Sequence, residues 1–118
     1  MIHTVSAEGF DLPPKLQKYT DGKMKDIQKY IPRKVREAAV VAVHFKQGRK
    51  GQDKTCTLAL QLPHDTLAVR ETTSHMYAAL DIATVELRRQ IADYKSKHSK
   101  QGLRHKLLRG LKRNSDRE

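Results

Sequence analysis

The residues of this chain that could take part in catalysis or metal binding are few and scattered. Six histidines are spread from His3 to His105, and none has the His-Glu-x-x-His spacing that zinc enzymes use. The single Cys56 cannot form an internal disulfide or anchor a cysteine-based zinc site, and in a predicted strand we interpret it as a buried structural thiol. His64 and Asp65 fall at a predicted turn, and no glycine-rich phosphate loop is present. The sequence therefore predicts a protein that is not an enzyme and holds no metal or cofactor.

The chemistry that the sequence does favour is binding to a polyanion. The 118 residues include 24 Lys and Arg against 13 Asp and Glu, which gives a net charge of +11. Such a surplus is typical of nucleic-acid-binding proteins, although some basic proteins are merely soluble. The aromatic residues fall mostly on predicted core faces, and no pair of strand aromatics is placed to stack bases. The composition favours structured RNA, recognised by shape and charge, over single-stranded sequence.

The positive charge is concentrated near the C-terminus. Residues 99–118 carry seven basic and two acidic residues, a net charge of +5, whereas residues 1–98 together carry +6. Leu103, Leu107, Leu108 and Leu111 recur at helical spacing in this segment. Two interpretations stay open: a tail that becomes an amphipathic helix on a partner, and an extension of the preceding helix. We divide the chain into a domain at 1–98 and a basic, flexible tail at 99–118.

The elements that must position these charges follow the order strand, helix, three strands, helix. Apolar periodicity predicts one helix that is capped by Asp11 and ends at Pro32, and another that is capped by Thr73 or Ser74 and ends near residue 98. Alternating residues predict strands at 2–7, 38–46, 55–62 and 66–72, with the first two parallel and the last three in an antiparallel meander. We expect a two-layer α+β fold of the β-α-β-β-β-α type, with two helices on one face of a four-stranded sheet and solvent on the other.

Basic residues outside the apolar stripes are the candidate contacts to nucleic acid. Phosphate contacts need cations but no particular spacing, and a solvated face is the alternative interpretation of every such row. The candidates lie on the first helix, at the tip of the first hairpin, on the last helix and in the tail: Lys15, Lys23 and Lys25; Arg49, Lys50 and Lys54; Arg88, Arg89, Lys95 and Lys97; Lys100 and Arg104.

The last predicted helix opens with His-Met-Tyr-Ala-Ala-Leu-Asp at 75–81 and continues with Leu-Arg-Arg-Gln-Ile at 87–91. These runs resemble the Asp-Met-Tyr-Ala-Ala-Ile-Asp opening and the Leu-x-Arg-Gln-Leu run of the ribosome hibernation-promoting factor family, the ribosome-associated inhibitors. The first helix between Tyr19 and Tyr30, the turn at 60–63 and the order of elements are also similar. The resemblance covers about residues 2–98.

The resemblance implies a fold similar to a double-stranded RNA-binding domain with an added strand. It also implies binding to the small ribosomal subunit, where family members cover 16S rRNA of the decoding region in competition with mRNA and with A- and P-site tRNA. Such proteins silence idle ribosomes by steric occlusion, and the resemblance implies a ribosome-associated bacterial protein. The lack of a long apolar stretch and of a signal-peptide pattern separately predicts a cytoplasmic protein that does not enter a membrane. Lys23, Lys25, Arg89, Lys95 and Lys97 match basic positions of the family, which implies rRNA contacts there.

The chain departs from the family pattern at four positions. Gly22, Glu86 and Asp93 stand where members often carry Lys, and His75 replaces an Asp. The 20 residues after position 98 are too few for the C-terminal domain by which long members pair two ribosomes, so we expect a short member whose tail lies near the mRNA channel. Two alternatives stay open: a general structured-RNA-binding domain with no part in silencing, and an interaction protein whose leucine-bearing tail binds a protein or an anionic membrane.

Overall fold

The computed structural model of the chain describes residues 1–49 and 53–113, with side chains described for 1–49 and 53–97. Its elements are β1 (Ile2–Glu8), α1 (Pro14–Tyr30), α2 (Arg33–Arg36), β2 (Val40–Gln47), β3 (Lys54–Leu62), β4 (Asp65–Thr73) and α3 (Met76–Arg113). The predicted α+β fold and the predicted order of elements are confirmed. The short helix α2 was not predicted.

The four strands form one mixed sheet in the order β1-β2-β3-β4. As predicted, β1 runs parallel to β2, with Val5 opposite Val43, and the other neighbours are antiparallel, with Val43 opposite Leu58 and Leu58 opposite Val69. Successive side chains of a strand point to opposite faces, so this register collects the valines and leucines of β2, β3 and β4 on one buried face. The other face is open and mostly small or polar.

Both long helices cover the buried face of the sheet. The register makes β4 parallel to β1, so α1 and α3 start from the same edge of the sheet and run side by side in the same direction. Each helix contributes an apolar stripe to a single core, and Thr20 is buried there with its hydroxyl donating to the Leu16 carbonyl at 2.7 Å. The largest fully buried side chains are Phe45, Leu16, Met24, Ile27, Ile31, Leu58, Leu60, Leu80, Leu87 and Ile91.

The first turn of α1 differs from the prediction. Pro13, and not Asp11, occupies the N-cap position, and no side chain caps the helix. Pro14 is tolerated there because the first backbone N–H groups of a helix have no intrahelical partner. At the far end Pro32 is the N-cap residue of α2, whose Arg36 guanidinium donates to the Ile31 carbonyl at 2.9 Å and closes the end of α1.

Helix α3 begins close to its predicted start and extends well past its predicted end. The Thr73 hydroxyl accepts a hydrogen bond from the His75 N–H at 3.1 Å, and the first helical bond joins Ala79 N–H to the His75 carbonyl at 3.0 Å. The helix then continues to Arg113, beyond Tyr94, its last buried residue among the described side chains. As far as residue 113 the backbone of the tail thus continues the preceding helix. No helix in the described ranges is both long and apolar enough to span a membrane.

Candidate nucleic-acid interface

The outer side of α1 is a row of lysines. Lys15, Lys18, Lys25 and Lys29 follow spacings that keep them on one side of the helix, opposite the buried stripe, and all four are exposed. Among the described residues only Lys29 has an ion-pair partner, Asp26 at 3.6 Å, in a solvent-exposed pair of the weak kind. We call these four residues the lysine face of α1; its cations are available to phosphates.

Gly22 stands in the middle of the lysine face, between Lys18 and Lys25. A Cβ placed on Gly22 would meet no atom within 4 Å. The position is therefore open to solvent, and a side chain there would join the lysine face without disturbing the core.

Helix α2 extends the basic surface past the end of α1. Its Arg33 and Lys34 are exposed, whereas Arg36 is half-buried and is held by carbonyls at the end of α1. Sequence reasoning did not single out Lys18, Lys29, Arg33 and Lys34 as candidate contacts. The spacing of positions 15, 18, 22, 25 and 29 could have revealed the first two, whereas Arg33 and Lys34 depended on a helix that was not expected.

Lys23, a predicted contact, faces α3 and is held there. Its ammonium lies 3.1 Å from Asp81 Oδ1 and 5.3 Å from the centre of the Tyr19 ring. The Tyr19 hydroxyl donates to the same Asp81 oxygen at 2.6 Å, and its ring packs edge-on against Tyr77 with centroids 5.1 Å apart. The hydrogen bond to Asp81 raises the pKa of Lys23 and the pKa of Tyr19. The carboxylate thus offsets the charge of Lys23 and fastens α1 to α3.

Arg88 closes the other end of the cleft between α1 and α3. Its guanidinium lies over the Tyr30 ring at 5.3 Å and donates to the Tyr30 hydroxyl at 3.2 Å. Between Lys23 and Arg88 lies an open cleft of about 280 Å³, which Asp26 and Asp81 also line. Two cations and two carboxylates leave the cleft electrically balanced, so the cleft is a weaker attractor of phosphate than the lysine face beside it.

Arg89, also predicted to contact rRNA, is enclosed by carboxylates. Its Nε donates to both oxygens of Glu86 at 3.1 and 3.0 Å, and its Nη1 donates to Asp93 at 2.8 Å. These contacts lower the pKa of Glu86 and raise the pKa of Arg89. The three groups together carry a net charge of −1. Glu86 and Asp93 occupy two of the positions where the resembling family often has Lys. They therefore make this part of α3 unfavourable for phosphate binding.

The remaining predicted contacts lie apart from the cleft. Lys25 and Lys95 are exposed and have no ion-pair partner in the part of the chain that the structure describes, and Lys95 lies seven residues, or two turns, beyond Arg88 on the same side of α3. Lys97 is exposed near Asp65 and Asp93, on the β4 side of α3. At the sheet edge where α1 begins, Arg49 is exposed and Lys54 is half-buried, whereas Lys50 and the side chains of Lys100 and Arg104 lie outside the described residues.

Cys56 and the described histidines do not form a metal centre. Cys56 is fully buried, and burial raises the pKa of its thiol to about 12, so it stays protonated at neutral pH, as expected of a structural thiol. Within the described ranges no three His, Cys, Asp or Glu side chains are grouped closely enough to hold a metal ion. His3 Nε2 instead forms a hydrogen bond with Asp21 Oδ1 at 2.8 Å. This hydrogen bond joins β1 to α1 and lowers the pKa of Asp21.

The sequence and the fold of this chain are both similar to those of known proteins. Residues 3–99 match the family model described as sigma 54 modulation protein / S30EA ribosomal protein. No curated protein sequence matches the chain. Among solved structures, a ribosomal subunit interface protein from Coxiella burnetii has a TM-score of 0.68 and 22% identity, over 81% of this chain and 99% of the other. The N-terminal domain of Protein Y from Thermus thermophilus has a TM-score of 0.67 and 18% identity, over 80% and 99%. At these identities the two structures show a shared fold.

Proposed function

The chain belongs to the sigma 54 modulation protein / S30EA ribosomal protein family, and we propose that it binds the decoding region of the small ribosomal subunit and silences idle ribosomes. Family membership implies association with the ribosome and a cytoplasmic location. The family is not enzymatic, in agreement with the prediction from the sequence. The proposed mechanism is occlusion: the bound protein fills the path of mRNA and of A- and P-site tRNA.

The observation that carries the proposal is the lysine face of α1. Phosphates are the densest fixed negative charges on a ribosomal subunit, and cations without carboxylate partners bind them through release of counterions. Lys15, Lys18 and Lys25 have this property among the described residues. We assign the first contacts with 16S rRNA to the lysine face, with Arg33 and Lys34 extending it, and keep Lys95 and Lys97 as further contacts.

The roles of Lys23, Arg88 and Arg89 follow from the contacts that these side chains already make within the protein. Lys23 and Arg88 position α1 against α3, and we assign them the task of keeping the lysine face rigid rather than the largest share of phosphate contact. Arg89 contributes less than its charge suggests, because Glu86 and Asp93 repel phosphate beside it. Arg49 and Lys50 stay proposed contacts at the hairpin.

The basic tail is a further part of the proposal. The family match ends at residue 99, so residues 100–118, with their net charge of +5, are an addition to the shared domain. On the ribosome we place this tail near the mRNA channel, as an electrostatic supplement to the domain. Removal of 99–118 is expected to weaken binding and to flatten its dependence on salt, and unchanged affinity and slope would contradict this role.

Co-sedimentation with purified small subunits tests the proposed function. The measurement is made in rising salt, with and without mRNA and tRNA. We expect saturable binding near one protein per subunit that mRNA and tRNA together displace. Non-saturable binding that disappears at moderate salt and ignores both ligands would instead indicate a general structured-RNA-binding domain.

A further inference from the structure

Helix α2 is a single turn, and its own hydrogen bonds are too few to fix its direction. It spans Arg33–Arg36, and the start of any helix orders several residues for each hydrogen bond that forms. Successive helical residues lie about 100° apart, so Arg33 and Lys34 point to one side of α2 and Val35 and Arg36 to the other. The first two side chains are exposed and the last two are half-buried. The direction of α2 therefore depends on the contacts of Val35 and Arg36.

Val35 and Arg36 hold α2 by contacts of different kinds. Val35 packs against the core, and an apolar contact of this sort fastens a helix without fixing its rotation. The guanidinium of Arg36 makes directional contacts, since its Nε and Nη2 both donate to the Ile31 carbonyl, at 3.2 and 2.9 Å. Nη2 also donates to the Lys29 carbonyl at 3.4 Å. Because the guanidinium is a rigid planar fork, these hydrogen bonds set the angle between α2 and α1.

The carbonyls that Arg36 contacts lie at the C-terminal end of α1. The last carbonyls of a helix lack intrahelical partners and carry the negative end of its dipole, so a cation is favourable there. Lys29 is also the last residue of the lysine face, and Arg36 thus joins α2 to the turn of α1 where that face ends. Two of the three guanidinium nitrogens are engaged and the side chain is half-buried, so Arg36 itself offers little to a phosphate.

We propose that Arg36 is a positioning residue of the RNA-binding surface: it holds α2 so that Arg33 and Lys34 continue the lysine face as one rigid surface. The inference rests on the proposed function, because it takes the contact of this surface with rRNA as given. Without the guanidinium, α2 stays attached through Val35 but is free to turn, and Arg33 and Lys34 must then be ordered when RNA binds. That ordering costs conformational entropy. The loss therefore arises at Arg33 and Lys34, although the substitution is at position 36.

A double-mutant cycle on the full chain tests this role through binding to small subunits. Arg36→Gln is made in the unmodified chain and in a chain that carries Arg33→Gln and Lys34→Gln. We expect it to weaken binding about fivefold in the first chain and less than about twofold in the second, where Arg36 has no cations left to position. A direct contact between Arg36 and phosphate, or a plain effect of net charge, would weaken binding equally in both chains. Equal losses would therefore overturn the proposal.

Amide hydrogen exchange of the free protein provides a second measurement, which needs no ribosome. The Val35 N–H donates to the Pro32 carbonyl at 3.0 Å, and the Ala39 N–H donates to the Arg36 carbonyl at 3.2 Å. In Arg36→Gln we expect these two amides to exchange at least about tenfold faster, while amides in the middle of β3 keep their protection. Unchanged exchange at both amides, or equal acceleration throughout β3, would contradict the role of Arg36.

The outcomes of these measurements separate the role of Arg36 from the proposed function. Lys46→Gln, which removes the same charge from the open sheet face, is the matched control for the cycle and should weaken binding less than about twofold. An unmodified chain that does not bind small subunits would contradict the proposed function, and with it the surface that Arg36 serves. Binding by the unmodified chain, together with equal losses in the cycle, would contradict the role of Arg36 alone.

Discussion

Helices α1 and α3 lie side by side on the same sheet, yet their outer sides are opposite in character. The outer side of α1 carries Lys15, Lys18, Lys25 and Lys29, of which only Lys29 has an ion-pair partner among the described residues. The outer side of α3, which we call its outer stripe, exposes Ile82 and Val85, and Glu86 and Asp93 enclose its Arg89. Both helices pack an apolar stripe into the core, so the difference lies in the residues that the core does not need.

The difference means that the number of basic residues on a helix is a poor guide to the positive charge that the helix offers to RNA. Arg88, Arg89, Lys95 and Lys97 make α3 look as basic as α1 in the sequence. In the structure, carboxylates one turn away offset Arg89, and Tyr30 holds Arg88. What matters for phosphate binding is the cations that remain after neighbouring carboxylates are counted.

Charge reversal on the lysine face is expected to have the largest effect. Lys18→Glu combined with Lys25→Glu should weaken binding to small subunits on the order of 100-fold and lower the salt slope by about two, because two phosphate contacts become repulsive. The measurement is co-sedimentation across a salt series. The matched control is Lys46→Glu with Arg70→Glu, which makes the same charge change on the open sheet face. Equal losses for both pairs would mean that only net charge matters.

Completing the lysine face should give the opposite result. Gly22→Lys is expected to strengthen binding several-fold and raise the salt slope by about one, because position 22 is open and lies between two lysines. Gly22→Ala is the matched control. It should leave binding unchanged and raise the free energy of unfolding by about 1 kcal/mol, since glycine is a poor residue for a helix interior. A gain in binding from the alanine as well would show that helix stiffness, and not charge, is responsible.

Single neutral substitutions on α3 should distinguish the contribution of Lys95 to RNA binding from that of Arg89. Lys95→Gln is expected to lower the salt slope by about one, whereas Arg89→Gln should lower it by clearly less, because Glu86 and Asp93 already offset that charge. This sharpens the expectation from the family resemblance, in which both residues contact rRNA. Equal slopes for the two variants would place Arg89 in direct contact with phosphate.

The smallest effect on RNA binding is expected from breaking the ion pair between Lys23 and Asp81, which joins α1 to α3. Asp81→Asn removes the carboxylate that raises the pKa of Lys23, so Lys23 becomes free for phosphate and the salt slope should rise by less than about one. Because the pKa of Lys23 is raised in the folded state, its ion pair with Asp81 stabilises the folded protein at every pH below the ordinary lysine pKa. This stabilisation is lost only in strong base. The stability cost of the variant should therefore be the same at pH 6 and pH 8. A cost that changed between these two values in thermal denaturation would indicate another titrating group.

The sequence predicted the fold well because periodicity reports burial directly. The stripe that includes Leu80, Leu87 and Ile91 is buried as expected, and the alternation in β2 and β3 gave their faces correctly. The ends of the helices were harder. Asp11 has the chemistry of an N-cap, but Pro13 takes the position because the residue before a proline, here Pro14, is held in the extended conformation. Helix α2 spans only four residues, too few for any period to appear.

The candidate interface was predicted only in part, for a different reason. The exposure of Lys25, Lys95 and Lys97 follows from the helical repeat, so the sequence predicted correctly that these side chains lie on the surface. The ion pair of Lys23 with Asp81 joins residues 58 positions apart, and only the packing of α1 on α3 brings them together. Glu86 and Asp93 could have been recognised from their i, i+3 and i, i+4 spacing to Arg89, which by itself predicts the ion pairs.

Photo-cross-linking on the ribosome tests most directly whether the lysine face of α1, and not the outer stripe of α3, contacts rRNA. A short-range aryl azide side chain is introduced at Gly22 in one variant and at Val85 in another, and each is irradiated in complex with small subunits. The account predicts adducts with 16S rRNA from position 22 and none above background from position 85. Adducts with 16S rRNA from position 85, and none from position 22, would contradict it.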